Sequence, residues 1–365
     1  MSAATPAPIT PFAAEEVAAI RAAILGWYDA NRRDLPWRAP AGRTADPYHV
    51  WLSEIMLQQT TVAAVKGYFA EFLRQWPSVA DLAAAPLDEV MRAWAGLGYY
   101  ARARNLHRCA QTVVADFGGA FPADAALLRS LPGIGDYTAG AIAAIAFGHR
   151  AAPVDANIER VVSRLTAITE PTSPTKPLVR KGAAALEDPE RPGDWAQALM
   201  DLGSAVCTSR SPKCLLCPAV QWCQAQAAGN AESLPVKPAK PARPLRTGIV
   251  YWLERADGAV LLRKRAGRGM LGGLWEFPSA GWDDRNAHPT DPAIEALART
   301  WEAMPGRIAH GFTHFEVALE VRSAAARPGV NLPEGSRWTA RQSLGEFALP
   351  TLMKKVAKAM GGAKR

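Results

Sequence analysis

Hydrophobic residues in the first part of the chain recur with a helical period. Apolar side chains lie three and four positions apart from Ala14 to Trp27, again between Asp46 and Phe72, and in a run of small residues that ends at Phe147. The same spacing predicts a further helix that begins at about Asn157. The first part of the chain is therefore predicted to be mainly α-helical.

From Thr247 onward the pattern changes to short segments in which apolar and polar residues alternate. These segments are GIVYWLE, AVLLRKR and GFTHFEVALEV, and turn residues separate them. A period of two is typical of strands with one buried face, so this part is predicted to be an α+β domain. Between the two patterns, proline recurs at every third position among basic residues. The sequence there predicts a polyproline-II-like linker, with prolines at Pro235, Pro238, Pro241 and Pro244.

A glycine-containing turn, Leu131-Pro132-Gly133-Ile134-Gly135, precedes the run of small residues. Proline ends an incoming helix, and the glycines permit a tight hairpin before the next one. The amides of Gly133 and Gly135 would then lie at a helix N-terminus, where they suit a DNA phosphate. An ordinary helix-loop-helix corner would have the same local sequence.

Glu54 is an acid in an otherwise apolar helix, WLSEIML. If its side chain faces a partly dry pocket, loss of hydration raises its pKa and keeps it protonated near neutral pH, as a general acid requires. If it faces water, it is an ordinary residue on a helix surface.

Asp155 follows the short approach Pro153-Val154 and precedes the helix predicted from Asn157. The positive end of the helix dipole favours an ionised carboxylate at such a position. The alternative is that Asp155 only caps the helix, which is a common role for Asp.

Two further stretches suggest contact with nucleic acid. The segment GLGYYARARN joins an aromatic pair, which includes Tyr99, to two arginines, although the same residues could form a core and a solvated face.

The second stretch has the spacing C-x6-C-x2-C-x5-C, formed by Cys207, Cys214, Cys217 and Cys223. Four thiolates at this spacing can bind zinc or a 4Fe-4S cluster, and the spacing does not decide between them. Arg210 and Lys213 on this loop could contact phosphate.

Charge and composition agree with these motifs. The chain has 42 Lys and Arg against 34 Asp and Glu, which suits a polyanionic partner. No apolar run approaches the length of a membrane span, and the N-terminus lacks the pattern of a signal peptide. We therefore expect a globular, cytoplasmic protein in which the clustered cysteines bind a metal rather than form disulfides.

The motifs WLSEIMLQQT, GLGYYARARNL, LPGIGDYTAGAI and PVDAN, together with the cysteine spacing, resemble the adenine DNA glycosylases of the MutY type. That family belongs to the helix-hairpin-helix superfamily with endonuclease III, and the resemblance covers about the first 225 residues. It implies a 4Fe-4S cluster on the cysteines and a Nudix-like C-terminal domain, which GGLWEFP supports. The implied organisation is a glycosylase region over 12–230 with the cluster motif at 207–223, a linker over 231–246 and a lesion-recognition domain over 247–358.

The resemblance also implies roles for individual residues. Glu54 would protonate the adenine, Asp155 would stabilise the sugar, and Tyr137 and Asn157 would support them. The residues implied to surround the flipped adenine are Arg33, Trp37, Arg38 and Asp201. Those implied to fill the base stack are Gln59 and Tyr99, and those implied to probe 8-oxoguanine are Phe312, Thr313 and His314. The implied partner is duplex DNA with adenine opposite 8-oxoguanine or guanine, bound by a monomer.

Two departures from the family pattern are visible. Thr313 stands where Ser is commoner, which keeps the hydroxyl. Ala156 stands where Gly is most frequent. Because positive φ would be strained for Ala, we expect a negative φ there. On an extended strand, positions four apart are separated by about 13 Å, so His310 and His314 could not share one metal ion there, whereas a turn at Gly311 would weaken this objection.

Three other functions remain as hypotheses. An endonuclease III-type glycosylase and lyase would need a lysine where this chain has Tyr137. A Nudix nucleotide hydrolase would need the acidic cluster REx2EExG, and only scattered acids follow Pro278. A non-catalytic iron–sulfur DNA-binding protein would not need both Glu54 and Asp155.

Overall fold

A computed structural model describes most of the chain, in two units. The described residues are 12–40, 42–170, 177–236, 242–267, 269–283 and 288–362. The first unit comprises Met1–Ala84 and Arg108–Lys240, and the second comprises Ala85–His107 and Pro241–Arg365. The domain boundaries inferred from the sequence stay a prediction, and residues 237–241 of the predicted linker lie outside the described residues.

The first unit is helical, as its apolar pattern predicted. Its helices are α1 (Ala14–Asn31), α2 (Pro47–Leu57), α3 (Val62–Gln75), α4 (Val79–Ala84), α7 (Ala125–Ser130), α8 (Asp136–Phe147), α9 (Ala156–Leu165), α10 (Pro177–Leu186), α11 (Pro192–Ala205) and α12 (Gln224–Ala227). In the second unit, α5 (Leu87–Ala93) precedes α6 (Ala101–Phe117), which continues into the first unit. None of the described helices is long and apolar enough to span a bilayer.

Local sequence explains where several of these helices begin. Asp46 caps α2 by accepting a hydrogen bond from the Tyr48 amide, and Pro47 occupies the first turn. Thr61 caps α3 in the same way. Asp124 caps α7 by accepting from two amides. Side-chain caps thus fix the ends of elements that the hydrophobic pattern alone places only approximately.

Helices α1, α9, α10 and α11 enclose one hydrophobic core of the first unit. The buried stripe of α1 runs through Ile20, Ile24 and Tyr28, which matches the helical spacing seen in the sequence. The facing stripes lie on α9 and α11, and three of the four clustered cysteines pack against the same core. The core therefore joins α9, whose first residue follows Asp155, to the segment that carries the cysteines.

The predicted helix-hairpin-helix is present as α7, the turn 131–135, and α8. Gly133 has φ +80°, a conformation that favours glycine. Gly135 has φ −99° and ψ −179°, which any residue can adopt, so only Gly133 requires the conformational freedom of glycine. Both glycines are exposed, and most of α8 is buried, as its small residues predicted.

The second unit contains the predicted α+β domain. Its strands are β1 (Leu245–Glu254), β2 (Val260–Lys264), β3 (Trp275–Glu276), β4 (Ser279–Ala280), β5 (Glu302–Gly311), β6 (Glu316–Ala325) and β7 (Ser336–Thr339). They form a seven-stranded sheet with the order β3-β2-β1-β6-β5, while β4 pairs with β1 and β7 with β2. Strands β1 and β6 are parallel, and β5 and β6 form an antiparallel hairpin. Helices α13 (Pro292–Glu295) and α14 (Thr351–Gly362) complete the unit.

The start of the predicted linker is folded rather than extended. Residues 231–233 form a short 3-10 helix, and Ala231 and Leu234 are buried against Cys214 and Cys223. The buried guanidinium of Arg164 donates to the carbonyl of Leu234 at 3.0 Å. The segment up to Val236 therefore packs with the cysteine loop.

Gly203 and Gly26 offer a matched test of helix packing, because both lie inside helices. A Cβ at Gly203 would stand 2.7 Å from the Cβ of Asn157, whereas a Cβ at Gly26 would meet nothing within 4 Å. We expect Gly203→Ala to lower the free energy of unfolding by roughly 1–3 kcal/mol through overpacking. Gly26→Ala should raise it by up to about 1 kcal/mol, because Ala favours the helix. Urea unfolding measures both changes, and shifts of the same sign would contradict the packing.

Candidate active site

Glu54 lies on the buried face of α2 and is only 7% exposed. Burial raises its pKa to about 7, and the negative charge of Asp155 acts in the same direction. A hydrogen bond from Tyr137 and the charge of Arg38 lower this pKa and partly offset the burial. The side chain therefore has the dry surroundings that one of the two sequence-based hypotheses required.

Tyr137 connects the hairpin to this acid. It lies in the first turn of α8, two residues after Gly135, and its hydroxyl donates a hydrogen bond to Glu54. Burial raises the pKa of Tyr137 well above its ordinary value, so its hydroxyl keeps its proton. The hairpin thus positions a neutral donor beside the carboxyl group.

Asp155 caps α9 and is also held from a third direction. One carboxylate oxygen accepts from the backbone amides of Asn157 at 2.9 Å and Ile158 at 2.7 Å. The other accepts from the side-chain amide of Asn157 at 2.8 Å. These three hydrogen bonds fix the orientation of the carboxyl group. Asp155 is therefore the N-cap of α9, and its chemical role stays a prediction.

The backbone at Ala156 is relaxed. Ala156 is the first residue of α9, and it is not among the described residues other than glycine that have a positive φ. The expected negative φ is therefore confirmed. Asp155 enters the helix without the strain that an Ala in a glycine conformation would cause.

Arg160 links Asn157 to the cysteine segment. Its guanidinium donates to the side-chain oxygen of Asn157 at 3.0 Å and to the carbonyl of Cys207 at 2.6 Å. Arg160 also donates to the carbonyl of Gly203 on α11. Asn157, which donates to Asp155, is therefore connected through Arg160 to the cysteine segment and to α11.

A pocket opens beside Glu54, with both polar and apolar walls. Arg33, Trp37 and Arg38 line it. Trp37 is buried, with its ring edge-on to Phe69 at 5.5 Å. A flat apolar face beside two guanidinium groups suits a planar base that carries nitrogen acceptors.

Asp201 does not line this pocket but lies behind the arginines, completely buried. Its carboxylate accepts from Arg33 at 2.5 Å and from Arg38 at 2.6 and 2.8 Å. Burial opposes ionisation of Asp201, but the hydrogen bonds and charges of Arg38 and Arg33 outweigh it and lower the pKa. Asp201 therefore orients the two arginines.

Sequence reasoning missed Gln197, which lines the same pocket. It precedes Asp201 by four residues on α11, so the two side chains lie on one face of the helix. That spacing is the signal that could have identified it. The other lining residues, which the sequence analysis did not assign to the pocket, are Leu35, Val50, Ser53, Leu57, Val62, Ile145 and Met200.

The two residues implied to fill the base stack share an unusual backbone. Gln59 in the first unit has φ 56°, and Tyr99 in the second unit has φ 47°. Both are exposed. Positive φ is uncommon outside glycine and is found preferentially at functional positions.

The segment His310–Phe315 forms the end of the β5–β6 hairpin, so the alternating pattern does not continue here as one strand. The strand β5 ends at Gly311, and the amide of Phe312 donates to the carbonyl of Phe315 at 2.8 Å to close a turn. Thr313 and His314 are exposed at its tip, while Phe312 is half-buried. The hydroxyl of Thr313 shares a hydrogen bond with that of Tyr99.

The four clustered cysteines line one small cavity together with Arg164. A guanidinium nitrogen of Arg164 lies 3.3 Å from the Cys207 sulfur and donates to it. Among the described residues, no three His, Cys, Asp or Glu side chains are grouped so as to hold a single metal ion. Arg210 and Lys213 are exposed on the same loop.

The structure thus brings most of the predicted site together in the first unit. That group contains Arg33, Trp37, Arg38, Glu54, Tyr137, Asp155, Asn157 and Asp201. Tyr99, Phe312, Thr313 and His314 belong to the second unit.

Known proteins share both parts of this chain. The family model of the HhH-GPD superfamily base excision DNA repair protein matches residues 52–184, and that of the NUDIX domain matches residues 249–359. The adenine DNA glycosylase of Homo sapiens is 36% identical over 410 aligned residues, which cover 95% of this chain and 75% of that protein. That of Mus musculus is 37% identical and covers 93% of this chain and 78% of that protein.

Among solved structures, a thermostable thymine-DNA glycosylase is similar, with a TM-score of 0.51 and 29% identity. The similarity covers 59% of this chain and 98% of that one. A non-covalent complex of endonuclease III with DNA has a TM-score of 0.50 and 22% identity, and it covers 60% of this chain and 98% of that one. The second likeness concerns the fold alone.

The raised pKa of Glu54 predicts a pH-dependent stability difference between the wild type and Glu54→Gln. The pKa of Glu54 is about 7 in the folded protein and 4.5 ordinarily, so the acid is protonated and its burial costs little stability below pH 4.5. As the pH rises from 4.5 towards 7, burial of Glu54 lowers the free energy of unfolding. The wild type should therefore lose stability relative to the variant across this window, by on the order of 3 kcal/mol. Urea unfolding of both proteins at several pH values measures the difference, and parallel pH profiles would contradict the assignment.

Proposed function

This chain belongs to the adenine DNA glycosylases, and from that premise we propose that it removes adenine opposite 8-oxoguanine and, more slowly, adenine opposite guanine. As a member of that family it is a DNA N-glycosylase of base excision repair. The observation that carries the proposed mechanism is the carboxyl group of Glu54, which burial keeps protonated up to about pH 7 beside a pocket.

Glu54 acts as the general acid. Adenine is a poor leaving group from deoxyribose unless a ring nitrogen is protonated as the glycosidic bond breaks. An acid with a pKa of about 7 is still protonated near neutral pH and gives up its proton readily. The carboxyl group transfers this proton to N7 of the bound adenine. The carboxylate that remains then helps to deliver water to the sugar.

Asp155 stabilises the sugar as it becomes oxocarbenium-like. Its carboxylate accepts from two backbone amides and from Asn157, so its oxygens are held in position before the reaction begins. An anion in fixed position stabilises positive charge that develops only in the transition state. Asn157 therefore supports Asp155, and Tyr137 supports Glu54 through its hydrogen bond.

The pocket beside Glu54 receives the flipped adenine. Trp37 offers the ring an apolar surface, and Arg33 and Arg38 offer donors whose direction Asp201 fixes. Gln197 adds an amide that can both donate and accept, as the adenine edge requires. The burial of Glu54 also limits the access of water to the acid.

Other residues hold the duplex and inspect the opposite strand. Gln59 and Tyr99 fill the stack, since each is exposed on a strained backbone. The groups that contact phosphates are the amides of Gly133 and Gly135 and the side chains of Arg210 and Lys213. Phe312, Thr313 and His314 form the part that examines 8-oxoguanine.

The four cysteines would hold a 4Fe-4S cluster, as the family resemblance implies, and the single cavity that they line together supports this proposal. The bound cluster would hold in place the loop that carries Arg210 and Lys213.

Two alternatives are less well supported. An endonuclease III-type lyase needs an amine nucleophile at the position where this chain has Tyr137. The hydroxyl of Tyr137 donates a hydrogen bond to Glu54. In the second unit, Glu276 is buried and paired with Arg263 and Arg265, so it is not free to bind the magnesium of a Nudix hydrolase.

We expect the protein to excise adenine opposite 8-oxoguanine fastest, opposite guanine more slowly, and opposite thymine not at all. Single-turnover assays of the three duplexes side by side measure this. Glu54→Gln and Asp155→Asn should each lose about 10²–10⁴-fold in rate. Glu71→Gln, at an exposed residue of α3, is the matched control.

Equal cutting of all three duplexes, or cutting of none, would refute the assignment. Borohydride added to the same reactions should trap no protein–DNA adduct, and a trapped adduct would favour the lyase alternative.

Purified under anaerobic conditions, the protein should be brown and contain about four irons per chain. Iron and zinc analysis with an absorbance spectrum measures this. Cys109→Ser, which alters the cysteine outside the cluster motif, is the control and should keep the colour. Stoichiometric zinc without visible absorbance would overturn the proposal.

A further inference from the structure

Trp282 is a fully buried residue of the second unit that the proposed reaction leaves unexplained. Its ring lies across β1 at Gly248, where an added Cβ would stand 3.0 Å from the Cβ and 3.1 Å from the Cδ1 of Trp282. The indole nitrogen donates to the Ser279 hydroxyl at 3.0 Å, and that hydroxyl donates to Glu276 at 2.9 Å. The ring is therefore fixed by close contact with β1 at Gly248 on one side and by a hydrogen bond to Ser279 at its edge.

The fixed indole supports the turn at the end of the β5–β6 hairpin. Trp282 stacks on Phe312 with 5.7 Å between ring centroids and 14° between planes. Phe312 in turn stacks on Phe315 at 4.8 Å and 27°. The ring of His310 meets Phe312 edge-on at 4.8 Å. Phe312 is therefore held between two aromatic rings inside the unit.

Arg246 closes this aromatic column. Its guanidinium carbon lies 3.9 Å from the ring centroid of Phe315. One of its nitrogens donates to the carbonyls of Trp282 at 3.2 Å and Asp283 at 3.3 Å. A single side chain thus connects the last ring of the column to the backbone that carries the first.

From this geometry we propose that Trp282 and Arg246 are positioning residues for discrimination of the base opposite adenine. Phe312 acts as the anchor of the turn, and Thr313 and His314 are the groups presented to the base. The inference rests on the proposed preference for 8-oxoguanine and deepens it. The physical reason is that 8-oxoguanine differs from guanine by few hydrogen-bonding groups, so discrimination requires donors and acceptors held in place before contact.

The test uses the full-length protein and four variants. Trp282→Leu removes the stack, Arg246→Met removes the cation while keeping an apolar side chain, and Trp282→Phe keeps an aromatic ring. Trp252→Leu is the matched control, because Trp252 is 1% exposed in the same core and packs on Phe277. Excision is measured at increasing enzyme concentration on duplexes with adenine opposite 8-oxoguanine and opposite guanine.

We expect Trp282→Leu and Arg246→Met to reduce the preference for 8-oxoguanine at least about ten-fold, which corresponds to one well-placed hydrogen bond. The loss should arise from a raised half-saturating concentration on the 8-oxoguanine duplex, with a much smaller change in the saturating rate. Trp282→Phe should retain most of the preference. Trp252→Leu should retain it fully at an equal or greater loss of thermal stability.

Two results would overturn the inference. One is an unchanged preference in Arg246→Met or in a folded Trp282→Leu variant. The other is an equal loss in Trp252→Leu, which would show that destabilisation alone is responsible. If Trp282→Leu does not fold, the result for Arg246→Met decides whether the inference holds. Arg246 is only half-buried, so we expect its replacement to leave the protein folded. A wild type without any preference would instead refute the proposed function.

Discussion

The candidate site depends on the removal of the Glu54 carboxyl group from water, which raises its pKa to about 7. Asp155, whose negative charge also raises the pKa of Glu54, is held in place by three donated hydrogen bonds. The two environments are built from different parts of the chain, an apolar helix face and a helix N-terminus.

The surroundings of Asp155 show how strongly its position is determined. Asn157 donates to it, Arg160 holds Asn157, and the same guanidinium reaches the carbonyl of Cys207. Gly203 allows α11 to approach Asn157 because any side chain there would collide with it. The arrangement combines hydrogen bonds with steric exclusion, so a shift of either α9 or the cysteine segment would move the anion.

The sequence predicted those parts of the site whose environment is local. An acid flanked by apolar residues indicated the burial of Glu54, and an Asp ahead of a periodic segment indicated the N-terminus at Asp155. The sequence did not predict that Asp201 stands behind the arginines, because that requires α11 to face a loop more than 160 positions earlier in the chain. The stack of Trp282 on Phe312 depends likewise on a turn whose position the alternating pattern did not predict.

The clamp that Asp201 makes with Arg33 and Arg38 has a consequence for the response to salt. The two arginines, Asp201 and Asp155 carry formal charges that sum to zero when Glu54 is protonated. These four groups are thus electroneutral together, although the chain as a whole has a net charge of +8. Attraction of the duplex must therefore come from basic groups elsewhere on the surface. Because ionic strength screens exposed charges far more than buried pairs, salt weakens the encounter with DNA while leaving the bond-breaking step nearly untouched.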